Sequence, residues 1–302
     1  MKFANVEGRL ALVEAAGEDT FTGADVAHAS GDLLPADPAA ALWRWSEVLD
    51  WASAYDGPLD LTIHAEQLGA PSPAPAQIFA IGVNYADHLA EAGWDQPEVP
   101  MVFPKLLPAL AGPCCDVALS EANDDWEVEL VVVIGKPARD VATEDAWDYV
   151  AGLTVGQDYS ARTIQMRPKE LPQFSLGKSL PGFAPIGPVI ATPDGVTDRD
   201  DLELTCSVNG EEMQHSRTGH LVFGVAALVE YLSAATTLLP GDLIFTGTPS
   251  GIGATRTPPH FLSAGDIVES YIEGIGSMRH RFVPKSEGSM PRPIIPTLAR
   301  QA

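Results

Sequence analysis

Short strand patterns, some continuously apolar and some alternating apolar with polar, dominate the chain from Ile78 onward: Ile78 to Val83, Glu127 to Gly135, Glu203 to Asn209, Leu243 to Thr246 and Ile267 to Ile272. A period of two marks a half-buried strand, and Asn209-Gly210 and Pro240-Gly241 punctuate the runs as turns do. Helical spacing is confined to a few stretches. Ala40 to Ala54, with its tryptophans, reads as a helix, and Gly224 to Leu239 reads as a helix packed on a surface because Glu230 interrupts its apolar residues. Asn84 to Gly93 follows a strand and combines cap-capable Asn84, acidic Asp87 and the stop signal Gly93, which predicts a short helix.

Gly69-Ala-Pro-Ser-Pro-Ala-Pro-Ala76 interrupts this pattern with three prolines, the composition of a linker. The expected organisation is a small α+β amino-terminal domain over 1–70, a larger β-rich domain over 71–285 and a proline-bearing tail over 286–302. The class is α+β, mainly β, and 302 residues suffice to bury a sizeable core. With 41 acidic against 18 basic residues, the formal charge of −23 repels nucleic acid and anionic membrane surfaces. No nucleic-acid or membrane partner is expected, and an anionic substrate needs local positive charge. Three cysteines, two of them adjacent at Cys114 and Cys115, give neither a zinc spacing nor a disulfide framework, which fits a reducing compartment. Residues 1–8 lack the apolar core of a signal peptide, and no stretch reaches the roughly 18 apolar residues of a membrane span. A cytoplasmic location is the expectation.

Candidate chemistry begins at Asp125-Trp-Glu-Val-Glu-Leu130. On a strand, Glu127 and Glu129 project from one face, while Trp126, Val128 and Leu130 take the other. Asp158 follows the apolar stretch Ala151 to Val155, where a strand end can present an oxygen toward the Glu pair. Carboxylates clustered beside such apolar sequence repel one another and are costly to desolvate, a cost that a divalent cation removes. Oxygen ligands without His or Cys suit a hard ion, Mg²⁺ first, with Mn²⁺ or Ca²⁺ as alternatives and zinc disfavoured. Taken alone, Glu-x-Glu is also what a half-buried strand shows to water. His88 and Glu91 share a helix face, and a carboxylate beside an imidazole fixes its tautomer and raises its basicity, as a general base needs; an ordinary exposed pair has the same spacing. Lys178 lies in turn-forming sequence, where a rigidly held ammonium can stabilise an enolate. Thr246 to Gly253 is glycine-rich, which suits either a backbone cradle for a carboxylate or a plain strand connection.

Together these residues resemble the fumarylacetoacetate hydrolase family. The resemblance runs from about Ile78 to Val283 through Gly82-Val-Asn-Tyr-Ala-Asp-His88, Asp125-Trp-Glu-Val-Glu-Leu130, Gln157-Asp-Tyr-Ser-Ala-Arg162, Gly177-Lys-Ser179, Ala184-Pro-Ile-Gly-Pro188, Val208-Asn-Gly-Glu211, Pro240-Gly-Asp-Leu-Ile-Phe-Thr-Gly-Thr-Pro249 and Gly265-Asp266. It implies a β-roll or mixed β-sandwich catalytic domain, a homodimer, and a Mg²⁺ or Mn²⁺ ion chelating a small anionic keto acid. By motif, Glu127, Glu129 and Asp158 match the metal ligands, and His88 with Glu91 matches the dyad that activates water from a mobile lid. Lys178 matches the enolate-stabilising lysine, while Arg162, Gln165 and Thr248 match positions that hold substrate oxygens. Two departures stand out: Thr163 replaces the usual acidic residue after Ser-Ala-Arg, which bears on how Arg162 is oriented, and Cys114-Cys115 replace a Gly-containing sequence. The first expectation is hydrolysis of a C–C bond in a β-diketo acid such as an acylpyruvate or a fumarylacetoacetate-like compound. The alternative is oxaloacetate decarboxylation or tautomerisation, or hydroxy-dienedioate isomerisation, at the same site. A third reading, a metal-stabilised dimer that binds a keto acid without turnover, is opposed by intact His88, Glu91 and Lys178.

Overall fold

The computed structural model describes residues 1–17, 20–93 and 95–287; the expected tail lies outside the described residues from 288 onward. Most strands join one sheet. From one edge it runs Leu61–His64, Thr20–Asp25, Arg9–Ala15, Lys2–Val6, Ala184–Ala191, Val150–Gln157, Val128–Ile134, Leu243–Phe245, Ile78–Gly82 and Met101–Pro104. A second sheet orders Glu211–Arg217, Glu203–Val208, Ile267–Ile272, Gly276–Val283 and Cys114–Ala118. Its first hairpin turns at Asn209 (φ 53°) and Gly210 (φ 80°), the paired left-handed conformations that a tight two-residue turn demands. The architecture is the expected mainly β class with mixed sheets.

Val128–Ile134 is buried on both faces, and its alternation divides the core. Val128, Leu130, Val132 and Ile134 pack with Leu204, Val268 and Ile272 of the second sheet and with Leu228 and Val229 of the helix Val225–Ala235. Val131 and Val133 face the opposite side, among Ile186, Ile190 and Phe245 and beneath Trp45 and Val48 of the helix Trp45–Ala54. Truncating a residue this deep, as in Leu130→Ala, costs about 2–5 kcal/mol through lost transfer energy and the cavity left behind.

Two expectations need correction here. The helix predicted over Ala40 to Ala54 is two helices, Pro38–Leu42 and Trp45–Ala54; Asp37 accepts from Ala39 N–H at 2.9 Å and starts the first, with Pro38 at its opening position. The proline-rich segment is not a solvated linker: Pro71, Ser72, Pro73 and Pro75 are buried. Asn5 Nδ2 donates to Ala70 O at 2.8 Å, and Ser72 Oγ donates to Gly241 O at 2.7 Å. Proline has no N–H to leave unsatisfied, so a stretch that looks like linker composition can be packed at little polar cost. Lys2–Val6 pairs antiparallel with Ala184–Ala191, so the first 70 residues extend the central sheet, and their helices cover one of its faces. Among the described residues, no helix is long and apolar enough to cross a membrane.

Candidate active site

Glu127 and Asp158 meet at the end of a ladder. Val128–Ile134 and Val150–Gln157 pair with Val128 opposite Gln157 and Glu129 opposite Gly156, and Asp158 N–H donates to Glu127 O at 2.9 Å just beyond. Strand alternation then turns Glu127 and Glu129 to one face, away from Trp126, Val128 and Leu130, which join an apolar cluster. Oxygens of Glu127, Glu129 and Asp158 lie within 4.8 Å of one another, and the three residues are only 5%, 1% and 1% exposed.

Buried cations offset part of this charge. Lys178 Nζ donates to Glu127 Oε2 at 2.5 Å and to Asp158 Oδ2 at 2.6 Å. Lys105 Nζ donates to the other Asp158 oxygen and to the carbonyl of Lys178, while Arg162 Nη2 lies 2.7 Å from Glu127 Oε1. Burial alone would raise the Glu127 carboxyl, but Lys178 and Arg162 outweigh it and pull it down to about 2. Glu129 moves the other way. Among the described residues it enters no ion pair, accepts Gly247 N–H at 2.8 Å, and is pushed well above the usual carboxylate range by burial and by the charges of Asp158 and Glu127. Burial likewise opposes the Lys178 ammonium, yet Asp158 and Glu127 raise it, whereas Lys105 is lowered because burial outweighs Asp158. A third carboxyl whose ionised form burial and its neighbours disfavour, together with an all-oxygen donor set, fits a hard divalent ion such as Mg²⁺ or Mn²⁺.

The dyad approaches from the helix Ala86–Ala92. His88 Nδ1 lies 3.3 Å from Glu91 Oε2, and the ring is close enough to Glu127 to contribute to that carboxyl's downward shift. Glu91 also accepts Gly251 N–H at 3.2 Å; burial would raise its carboxyl, but hydrogen bonds from His88, Thr255 and Gly251 lower it. Ser250 Oγ donates to Asp87 Oδ2 at 2.8 Å, a second link between this helix and the 246–253 loop. Asn84, read as a helix cap, serves instead as a cross-brace: its Nδ2 donates to Phe223 O and Thr246 O at 2.9 and 2.8 Å, and its Oδ1 accepts Phe223 N–H.

The residues matched to substrate oxygens cluster beside the carboxylates. Gln165, 4% exposed, accepts from Arg162 Nη1 at 3.0 Å. Thr248 Oγ1 donates to Val128 O at 2.9 Å and accepts from Gln214 Nε2 at 2.8 Å, so its hydroxyl proton is already committed. Thr163 is exposed.

The profile of the fumarylacetoacetate (FAA) hydrolase C-terminal domain matches residues 77–283. The chain belongs to the fumarylacetoacetate hydrolase family. Among its relatives, the mitochondrial oxaloacetate tautomerase FAHD2A of Bos taurus is 43% identical over 216 residues, covering 71% of this chain and 68% of that protein. A Mycobacterium smegmatis crystal structure assigned by inference as HpcE superposes with a TM-score of 0.87 at 44% identity, covering 94% of this chain and 99% of that one. The maleylpyruvate hydrolase of Sphingobium sp. SYK-6, solved with manganese(II) and pyruvate, gives a TM-score of 0.74 at 29% identity, covering 94% and 99%. The similar proteins of this family are thus enzymes of differing reaction type.

Sequence reasoning missed Lys105. It sits between prolines and leucines in Pro104-Lys-Leu-Leu-Pro108, reaches Asp158 across 53 positions, and is 3% exposed. The available signal was a single lysine inside an otherwise apolar, proline-bracketed run, a setting in which a charge needs a partner. As a unit, the site can hold a hard cation, neutralise an anionic substrate and offer a base beside it.

Proposed function

We propose that this protein catalyses keto–enol tautomerisation of a small 2-oxo diacid of the oxaloacetate class with a divalent metal, Mg²⁺ or Mn²⁺, on Glu127, Glu129 and Asp158. The observation that carries the reading is the His88–Glu91 dyad poised over three buried carboxylates. The chemistry such an ion supplies is Lewis-acid polarisation of the oxygens of a 2-oxo acid, which acidifies the adjacent carbon. With Nδ1 donating to Glu91, His88 keeps its other nitrogen free to take a proton from that carbon or from the enol oxygen and to return it. Lys178 supplies fixed positive charge for the developing enolate oxygen, and Arg162 with Gln165 holds a substrate carboxylate. The 43% identity to an oxaloacetate tautomerase supports this reading beside the hydrolysis that the motifs first suggested.

Hydrolysis of an acylpyruvate is the second reading, favoured by the likeness to a hydrolase solved with pyruvate. There, His88 takes a proton from water, the hydroxide adds to the distal carbonyl, and the C–C bond breaks to give a carboxylic acid and a pyruvate enolate that takes the proton back. The full chain with Mn²⁺ is tested on enol oxaloacetate, followed by decay of enol absorbance, and on acetylpyruvate, followed by loss of diketo absorbance. Acceleration of enol decay well above the spontaneous rate supports the tautomerase. Acetylpyruvate turnover alone moves the assignment to hydrolysis, and neither activity overturns both. In either case His88→Ala lowers the reaction about 10²- to 10⁴-fold, as expected for lost acid–base catalysis, while any metal-assisted oxaloacetate decarboxylation, which needs no base, keeps a larger share.

A further inference from the structure

Asp125 is wholly buried, and both of its oxygens are engaged. Oδ2 accepts from Arg162 Nε at 2.8 Å and Ala254 N–H at 3.0 Å, with Arg162 Nη2 at 2.7 Å. Oδ1 accepts from Gly253 N–H at 2.7 Å and Trp126 N–H at 2.9 Å. One acid therefore joins the arginine beside the metal ligands to the loop that seats the dyad. From these contacts we propose that Asp125 is the positioning residue for Arg162: it fixes the guanidinium plane for a substrate carboxylate and keeps that plane in register with the 251–254 loop. This role rests on the keto-acid reading above.

A neutralising pair alone would not need this construction. Nε donates to Asp125 on one edge of the guanidinium and Nη1 donates to Gln165 on the other, so two separate partners set its plane, while Nη2 lies 2.7 Å from Asp125 Oδ2 as a charge contact. The backbone is locked as well, because Asp125 pairs with Ser160 and Arg162 N–H donates to Asn123 O at 3.0 Å. On the loop side, a Cβ at Gly253 would lie 1.9 Å from His260 O and 2.7 Å from Asp125 Oδ1, so the backbone reaches the carboxylate only because residue 253 lacks a side chain. Two residues earlier, Gly251 N–H meets Glu91. Thr163, the position that by resemblance would carry an acid, is exposed, and the acid that grips Arg162 comes from Asp125.

The test uses the full-length protein loaded with Mn²⁺. Oxalate, a dianion that is not turned over, is titrated by calorimetry alongside oxaloacetate kinetics, for the wild type, Asp125→Asn, Asp125→Glu, Arg162→Gln and the Asp125→Asn/Arg162→Gln double variant. Asp125→Asn is expected to weaken oxalate binding and raise KM for oxaloacetate by about 10- to 100-fold, the usual scale for losing a supporting partner, with Mn²⁺ affinity changed less than about two-fold. The double variant should bind oxalate no more weakly than Arg162→Gln alone, because the asparagine has nothing left to misplace. Asp125→Glu, which keeps the charge, should recover part of the loss. Unchanged oxalate affinity in Asp125→Asn, or losses that add in the double variant, would overturn the proposal. If Asp125→Asn fails to fold by circular dichroism, Asp125→Glu paired with Arg162→Gln completes the same cycle. Oxalate titration also separates two failures: a protein that binds oxalate with this dependence on Asp125 but leaves oxaloacetate untouched refutes the assigned reaction and upholds the positioning role.

Discussion

Glu127, Glu129 and Asp158 are 5%, 1% and 1% exposed and project from strand ends whose neighbours are paired, whereas the Glu91 side chain keeps 24% of its surface exposed on a seven-residue helix. Glu127 and Asp158 are held by Lys178, Lys105 and Arg162, and Glu129 by Gly247 N–H; Glu91 is held by His88 and a backbone N–H of the facing loop. The contrast fits the tasks proposed for them. Charges that select and orient a cation must already be in place, since reorganising them during reaction would cost energy, so they sit deep in the sheet. A base that must let substrate pass belongs on an element tied down by few, exchangeable bonds.

Breaking the buried side should have the largest effect. In Glu127→Ala the cation loses a ligand and Lys178 and Arg162 each lose a partner, so Mn²⁺ affinity and turnover should both collapse. Removing one partner from a buried charge pair also costs about 3–5 kcal/mol of stability, measurable by urea unfolding in chelator. Full turnover in chelator, or wild-type Mn²⁺ affinity in the variant, would show that the carboxylates are structural. Conversely, metal bound only to the native state should raise stability by about 2.7 kcal/mol at a hundredfold excess over Kd.

Lys178→Met sharpens the same comparison from the cation side. Its ammonium rests on two of the three proposed ligands, so its removal should leave Mn²⁺ affinity unchanged or tighter while kcat falls about 10²- to 10³-fold, the scale of one lost oxyanion donor. Weaker Mn²⁺ binding together with normal kcat would make Lys178 a scaffold for Glu127 and Asp158 rather than a partner of the developing charge.

How much of this was readable from the chain differs between the two regions. The Glu127–Glu129 alternation and the strand end at Asp158 were legible because a period of two fixes side-chain direction, and carboxylates beside an apolar run demand an explanation. Of the central sheet, Ile78–Gly82, Val128–Ile134 and Leu243–Phe245 were legible as short apolar runs bounded by turn residues, but burial of Val128–Ile134 on both faces was not. Lys105 was not, since its contact with Asp158 depends on how Met101–Pro104 pairs at the sheet edge, which local pattern does not encode. Asp125 was visible only as a letter in a motif, because its work is done through loop N–H groups more than a hundred positions away. Asn84 carried a cap signal, but three bonds to Phe223 and Thr246 outcompeted that local use. The prolines at 71, 73 and 75 misled because their composition is shared by solvated linkers and by buried crossings.

The smallest effect should come from the bond that ties the dyad helix down. Ser250 Oγ donates to exposed Asp87 Oδ2, while Asp87 Oδ1 accepts His88 N–H, so Asp87 links loop 246–253 to the residue that carries the base. A hydrogen bond open to water contributes about 0.5–1 kcal/mol, so Ser250→Ala should lower the equilibrium constant for docking the helix by about two- to five-fold. That loss should appear in kcat/KM, leave Mn²⁺ affinity untouched, and shrink when viscosity makes another step limiting. Asp87→Ala removes both bonds and should fall somewhat further, yet remain far milder than His88→Ala. If Asp87→Ala instead matched His88→Ala in depth, Asp87 would belong to the proton-transfer chemistry itself, and the division between a fixed charged pit and a loosely tethered base would have to be redrawn.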